Sequence, residues 1–216
     1  MNKKKTLLVV VAMVLVCALS IMGTLAYMKD NTGAVTNTFM ASGGGKLADE
    51  LELTEHKLVE NTNGDGGYTL STSETTASNS YDVMPGMTLP KDPYITITNK
   101  TEAPAYLYLE VCGSLPDGYE WELESFWTPV MNGTEQAKGN NNGLLYVYKD
   151  ILNTAKTGTD TYGIILNDEI KVADDASMAL GAEGTTLTFY AYIAQTTVAV
   201  GGINTSDQYT VYDTCF

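Results

Sequence analysis

"TLTFYAYIAQ", residues 186–195, is the stretch that decides the fold. Leu187, Phe189, Ala191 and Ile193 fall on one side of an extended chain, and Thr188, Tyr190 and Tyr192 on the other. Successive side chains of a strand point to opposite faces, so this period of two marks a strand with one face on a core. The pattern recurs outward from it. "AYLYLEV" (residues 105–111) sets Leu107, Leu109 and Val111 against Tyr106, Tyr108 and Glu110, and "YITIT" (94–98) sets Ile95 and Ile97 against Thr96 and Thr98. "LELTE" (51–55), "LLYVYK" (144–149) and the pair "YGIIL" and "EIKVA" around Asn167-Asp168 are shorter versions. Most of the fourteen tyrosines lie inside these runs, where aromatic cross-strand pairs stabilise a sheet.

Turn chemistry separates the runs. "NGDGG" (63–67), "MPG" (84–86), "LPDG" (115–118), "NGT" (132–134) and "GNNNG" (139–143) are turn signals. "STSETTASNS" (71–80) and "MNGTEQAKGNNNG" (131–143) read as long polar loops, and "YKDILNTAK" (148–156) is the best helical candidate. Many short strands with turns between them predict an all-β fold, a jelly-roll-like antiparallel β-sandwich with long polar loops.

Ahead of this domain stands a different kind of segment. "MNKKK" is basic, and "TLLVVVAMVLVCALSIM" (6–22) carries no charge. Those are the n- and h-regions of a secretory signal helix, and the same length also suits an uncleaved membrane anchor. Thr24 and Ala26 are small, which places a cut between Ala26 and Tyr27. The expected division is signal peptide 1–26, N-terminal arm and Gly-rich joint 27–45, and sandwich domain 46–216. Of 216 residues, 190 would remain after cleavage, an ordinary size for one domain.

The chain has a net charge of −14, and all twelve basic residues are lysines. Three of those lysines precede the cut, so the processed chain would stand near −17. Phosphate recognition needs clustered cations, so nucleic acid is excluded as a partner. A membrane is met only through the uncleaved signal. Beyond Cys17 in the signal there are two cysteines, Cys112 and Cys215. They are the candidate disulfide of an exported chain, with two free thiols or an intermolecular bond as the alternatives. His56 is the single histidine, and no H-E-x-x-H motif or nucleophile elbow is present. It reads as an exposed edge or turn histidine. "NTNGDG" (61–66) imitates the start of a calcium loop, but its twelfth position is Thr72 and it reads as a turn. "SGGGK" (42–46) lacks P-loop spacing and reads as a joint. The expectation is a chain with no enzymatic activity, no cofactor and no metal site.

"GTLAYMKDNTGAVTNTF" (23–39) resembles the N-terminal signature of bacterial proteins exported and cut by a SipW-type signal peptidase, through Gly23, Thr24, Ala26, Tyr27, Asp30, Asn37 and Phe39. "LELTE", "VMPGMTLPKDPYITITN" (83–99) and "YAYIAQ" (190–195) resemble later segments of the same family, which includes the TasA matrix-fibre proteins and camelysin. The resemblance implies a secreted, extracellular structural protein of a biofilm matrix, a SipW-type peptidase as processing partner, and association with itself or with other matrix proteins. Its camelysin branch implies a surface metalloprotease instead, and a non-polymerising adhesion or binding module is the further alternative. In the arm, "AVTNTFMA" (34–41) alternates, which makes Val35, Asn37 and Phe39 a candidate assembly strand.

Overall fold

The computed structural model describes residues 29–32, 47–60, 67–153, 155–176, 186–200 and 203–216. The signal segment, its cleavage site at Ala26 and Tyr27, the arm residues Val35, Asn37 and Phe39, the glycine joint and "NTNGDG" lie outside the described residues. Within them the chain is an all-β antiparallel sandwich with one α-helix. Its first strands are β1 (Lys29–Thr32), β2 (Glu50–Glu60), β3 (Tyr68–Thr76), β4 (Thr88–Pro90), β5 (Tyr94–Lys100) and β6 (Ala105–Gly113). Then come β7 (Tyr119–Glu120), β8 (Trp127–Pro129), β9 (Met131–Asn132), β10 (Glu135–Gln136) and β11 (Leu144–Tyr148). The last are β12 (Lys156–Gly163), β13 (Glu169–Val172), β14 (Leu187–Gln195), β15 (Val198–Val200) and β16 (Ile203–Thr205), before α1 (Gln208–Cys215).

A five-stranded sheet in the order β1-β14-β6-β11-β8 faces a four-stranded sheet in the order β12-β5-β2-β3, with a small β4-β13-β7 sheet beside them. The inner faces meet in one apolar core. Leu107, Leu109, Val111, Phe189, Ala191 and Ile193 come from the first sheet, Leu51, Ile95 and Ile97 from the second, and Leu89, Ile170 and Val172 from the third. Those from β5, β6 and β14 are the residues that alternation assigned to the core face.

The opposite face of β6 departs from the half-buried expectation. Tyr106 and Tyr108 are buried as well, with Tyr192, Ala194, Leu145 and Val147, in a second cluster closed by Val211, Tyr212 and Cys215 of α1. The helix is eight residues long and opens on Asp207, whose carboxylate accepts from the Thr210 N–H at 2.9 Å.

Three other expectations are corrected. Residues 148–156 form no helix. Tyr148 ends β11, Leu152 bridges Ala105 of β6 through both backbone hydrogen bonds, and Lys156 starts β12. The polar run 71–80 is a strand as far as Thr76. The run 131–143 contains the β9–β10 hairpin, turning at Gly133 with φ +66°.

Candidate functional site

The most organised polar site lies on the covered face of β6. Glu110 is 0 % exposed, and its neighbours across the sheet are Leu145 on β11 and Tyr190 on β14. An isolated carboxylate in such a place would be very costly, so its oxygens must be satisfied. Four donors do this. Oε1 accepts from the backbone N–H of Asn141 at 2.7 Å and of Gly143 at 3.0 Å. Oε2 accepts from the Tyr192 hydroxyl at 2.7 Å and the Asn141 Nδ2 at 3.0 Å.

"GNNNG" is therefore more than a turn: it is a clasp closed over a carboxylate. A Cβ on Gly139 would strike the Glu110 carboxyl, and one on Gly143 would strike the Cys112 Sγ and the Val111 carbonyl. Asn142 between them takes the left-handed conformation at φ +62°. The clasp also reaches the helix, because the Asn140 N–H donates to the Tyr212 hydroxyl at 3.1 Å. Burial, then the hydrogen bond to Glu110, raises the ionisation of Tyr192 far above the ordinary phenol range. Cys112 touches the same carboxylate. Burial first, and the Glu110 charge second, push its thiol up to about 11. A thiol so raised is a poor nucleophile at neutral pH. Cys112 and Cys215 are not bonded to each other, so the candidate disulfide is not formed. Cys112 turns to Glu110 and Asn141, while Cys215 is buried in the helix cluster.

A second polar constellation ties β2 to the entry of β5. His56 is not a free edge histidine. Its Nδ1 meets the Asp92 Oδ2 at 2.5 Å, its backbone N–H donates to the Asp92 Oδ1 at 3.0 Å, and its side chain is 33 % exposed. The Tyr94 ring lies 5.5 Å away. Next to it, the Lys91 ammonium pairs with the buried Glu55 at 2.5 Å, leaving Glu55 Oε1 without a hydrogen bond. The Lys91 N–H donates to the Asp168 carbonyl at 2.8 Å. His56 binds a carboxylate through Nδ1, and no group of three His, Cys, Asp or Glu side chains converges among the described residues.

Asp168 gives this junction a measurable pH signature. Burial, then the charges of Asp92 and Glu124, raise its carboxyl above the usual range, while His56 opposes them. A carboxyl whose folded value is raised stabilises the fold when protonated, and that contribution fades as pH climbs through the folded value. Asp168→Asn is therefore expected to raise the denaturation midpoint at pH 7, with the gain shrinking toward pH 4. Asparagine also suits the φ of +55° at this position. Urea unfolding of both forms at the two pH values checks it, and an equal or larger gain at pH 4 contradicts it.

Of the residues singled out from sequence, the structure brings Cys112 to the Glu110 clasp and His56 to Asp92, and it leaves Cys215 on the buried face of the helix. Sequence reasoning missed Glu110, Asn141, Tyr192 and Asp92. One signal was readable: a lone glutamate in the middle of an otherwise aromatic and aliphatic strand, with a glycine-flanked asparagine run further along. No family model, no curated protein and no solved structure matches this chain.

Proposed function

We propose that the chain is an exported structural subunit of an extracellular matrix that joins copies of itself through its N-terminal segment. The observation that carries this reading is β1. Lys29–Thr32 lies at the edge of the five-stranded sheet and pairs with β14 alone, Lys29 opposite Ala194 and Thr32 opposite Ala191. An edge strand paired through its backbone can make the same hydrogen bonds to β14 of another copy. Exchange from one copy to the next does not close on itself, so it builds a filament. β1 begins two residues beyond Tyr27, the expected first residue after processing. Cleavage would free the strand that joins the copies, so assembly would wait for export.

The test has two parts. N-terminal sequencing of the exported protein is expected to begin at Tyr27, and a chain that retains Lys3 to Lys5 defeats the processing step. Deletion of residues 27–42 is expected to leave a folded monomer by circular dichroism and sedimentation, while the full processed chain forms fibres visible by electron microscopy. Identical fibres from both, or a full chain that stays monomeric across salt and pH, sinks the exchange model.

A further inference from the structure

Beside the β2–β3 hairpin the surface opens into a cleft of about 620 Å3, within the range of small-molecule sites. Such sites are usually lined by apolar groups, and this one is not. Its lining includes Glu60, Tyr68, Thr75, Asn79, Ser80 and Asp82.

The floor is built from an irregularity in the hairpin. The register shifts between His56, which faces Thr75, and Leu58, which faces Leu70. The Asn79 amide braces β2 at this irregularity. Its Nδ2 donates to the His56 carbonyl at 2.8 Å, and its Oδ1 accepts from the Leu58 N–H at 2.9 Å. Tyr68 is fixed in the same way: its hydroxyl accepts from the Asp82 N–H at 2.8 Å, and its ring packs edge-on against Tyr81 with centroids 5.7 Å apart. An aromatic ring and a row of polar groups are thus held in place before any ligand arrives, which lowers the ordering cost of binding.

The charge of the cleft selects among polar ligands. Lys57 is already paired with Glu74 at 2.9 Å. The Glu60 and Asp82 carboxylates are exposed, and neither makes a side-chain ion pair among the described residues. The whole chain carries −14, so an anionic ligand would be repelled and a cationic one drawn in. We propose that this cleft binds an amino-sugar oligosaccharide, with a pyranose face on Tyr68, ring hydroxyls on Thr75 and Ser80, and a C2 ammonium on Glu60 or Asp82. This assignment stands apart from the exchange of β1, which lies on the other sheet.

The probe is the β-1,4-linked glucosamine tetramer, compared with its fully N-acetylated counterpart and with spermine, by calorimetry and NMR titration in 0.15 M salt. The glucosamine tetramer is expected to bind at least tenfold tighter than either comparison ligand and to shift the resonances of Tyr68 and Asn79. The double substitution Glu60→Gln with Asp82→Asn changes exposed side chains only and should weaken it at least tenfold with an unchanged circular dichroism spectrum. Tyr68→Ala should weaken it as well, and Tyr68→Phe, which keeps the ring, should retain most of the binding. Three results overturn the proposal. They are spermine binding as tightly as the tetramer, which is attraction to net charge alone; the acetylated tetramer binding best; and the double substitution leaving affinity unchanged.

Discussion

Glu110→Ala should destabilise the fold by about 3–5 kcal/mol, the usual cost of breaking a buried polar network from one side. The four N–H and O–H donors that the carboxylate gathers, and the Cys112 thiol beside them, would lose their acceptor inside a covered sheet face. Set against a typical stability of about 5–15 kcal/mol, that loss removes a large share of the total. At this chain length it lowers the melting temperature by roughly 10 °C. Glu110→Gln keeps the shape but turns an NH2 group toward donors, and about 1–3 kcal/mol is expected. The order Ala worse than Gln worse than wild type, read from denaturant midpoints, is the check. An alanine variant within 1 kcal/mol of wild type would mean that the clasp holds nothing up.

Tyr212→Ala is the second large effect, also about 3–5 kcal/mol by analogy with other buried aromatic truncations. Tyr212 is 2 % exposed and central to the helix cluster, with ring centroids 5.4 Å from Tyr108, 5.3 Å from Tyr192 and 5.3 Å from Phe216. Tyr212→Phe keeps the packing and removes the hydroxyl that accepts from the Asn140 N–H and interacts with Tyr192, so about 1 kcal/mol is expected. The hydroxyl also sets an alkaline limit. Burial pushes the Tyr212 phenol up to about 12, against about 10 in a free chain. An acid with a raised folded value contributes fully below the free-chain value and loses that contribution as pH rises toward the folded one. Stability should therefore fall between about pH 10 and 12 in wild type and less steeply in Tyr212→Phe. Tyrosinate absorbance followed alongside circular dichroism tests this, and identical alkaline slopes would refute it.

The inner sandwich was legible because both sheets bury the same apolar set that alternation picks out, from Leu107 to Ile193. The second core was not. "QYTVYDTC" has little helical periodicity and carries β-branched Thr210, Val211 and Thr214, so no helix was expected there. Without the helix, Tyr106 and Tyr108 read as a solvent face, because tyrosine is at home on either side of a sheet. β12 was missed for the opposite reason. "KTGTDTYG" is an edge strand whose outer side chains meet water, so it shows no apolar alternation. Its Gly158 at φ +99° accompanies a register irregularity that a sequence pattern does not register. The Glu110 clasp depends on residues 31 and 82 positions away in the chain, and no local spacing rule reaches that far.

The position of β6 between β11 and β14 has a kinetic consequence. Its pairing with β14 joins Gly113 to Leu187 and Ala105 to Gln195, contacts 74 to 90 residues apart. Such contacts reward folding only after a long loop has closed, and antiparallel sandwiches of this kind fold in milliseconds to seconds rather than microseconds. A chain emerging N-terminus first offers β6 no second neighbour until residue 187 and beyond have appeared. The central sheet thus closes late, and a passage that requires an unfolded chain meets no prematurely completed core.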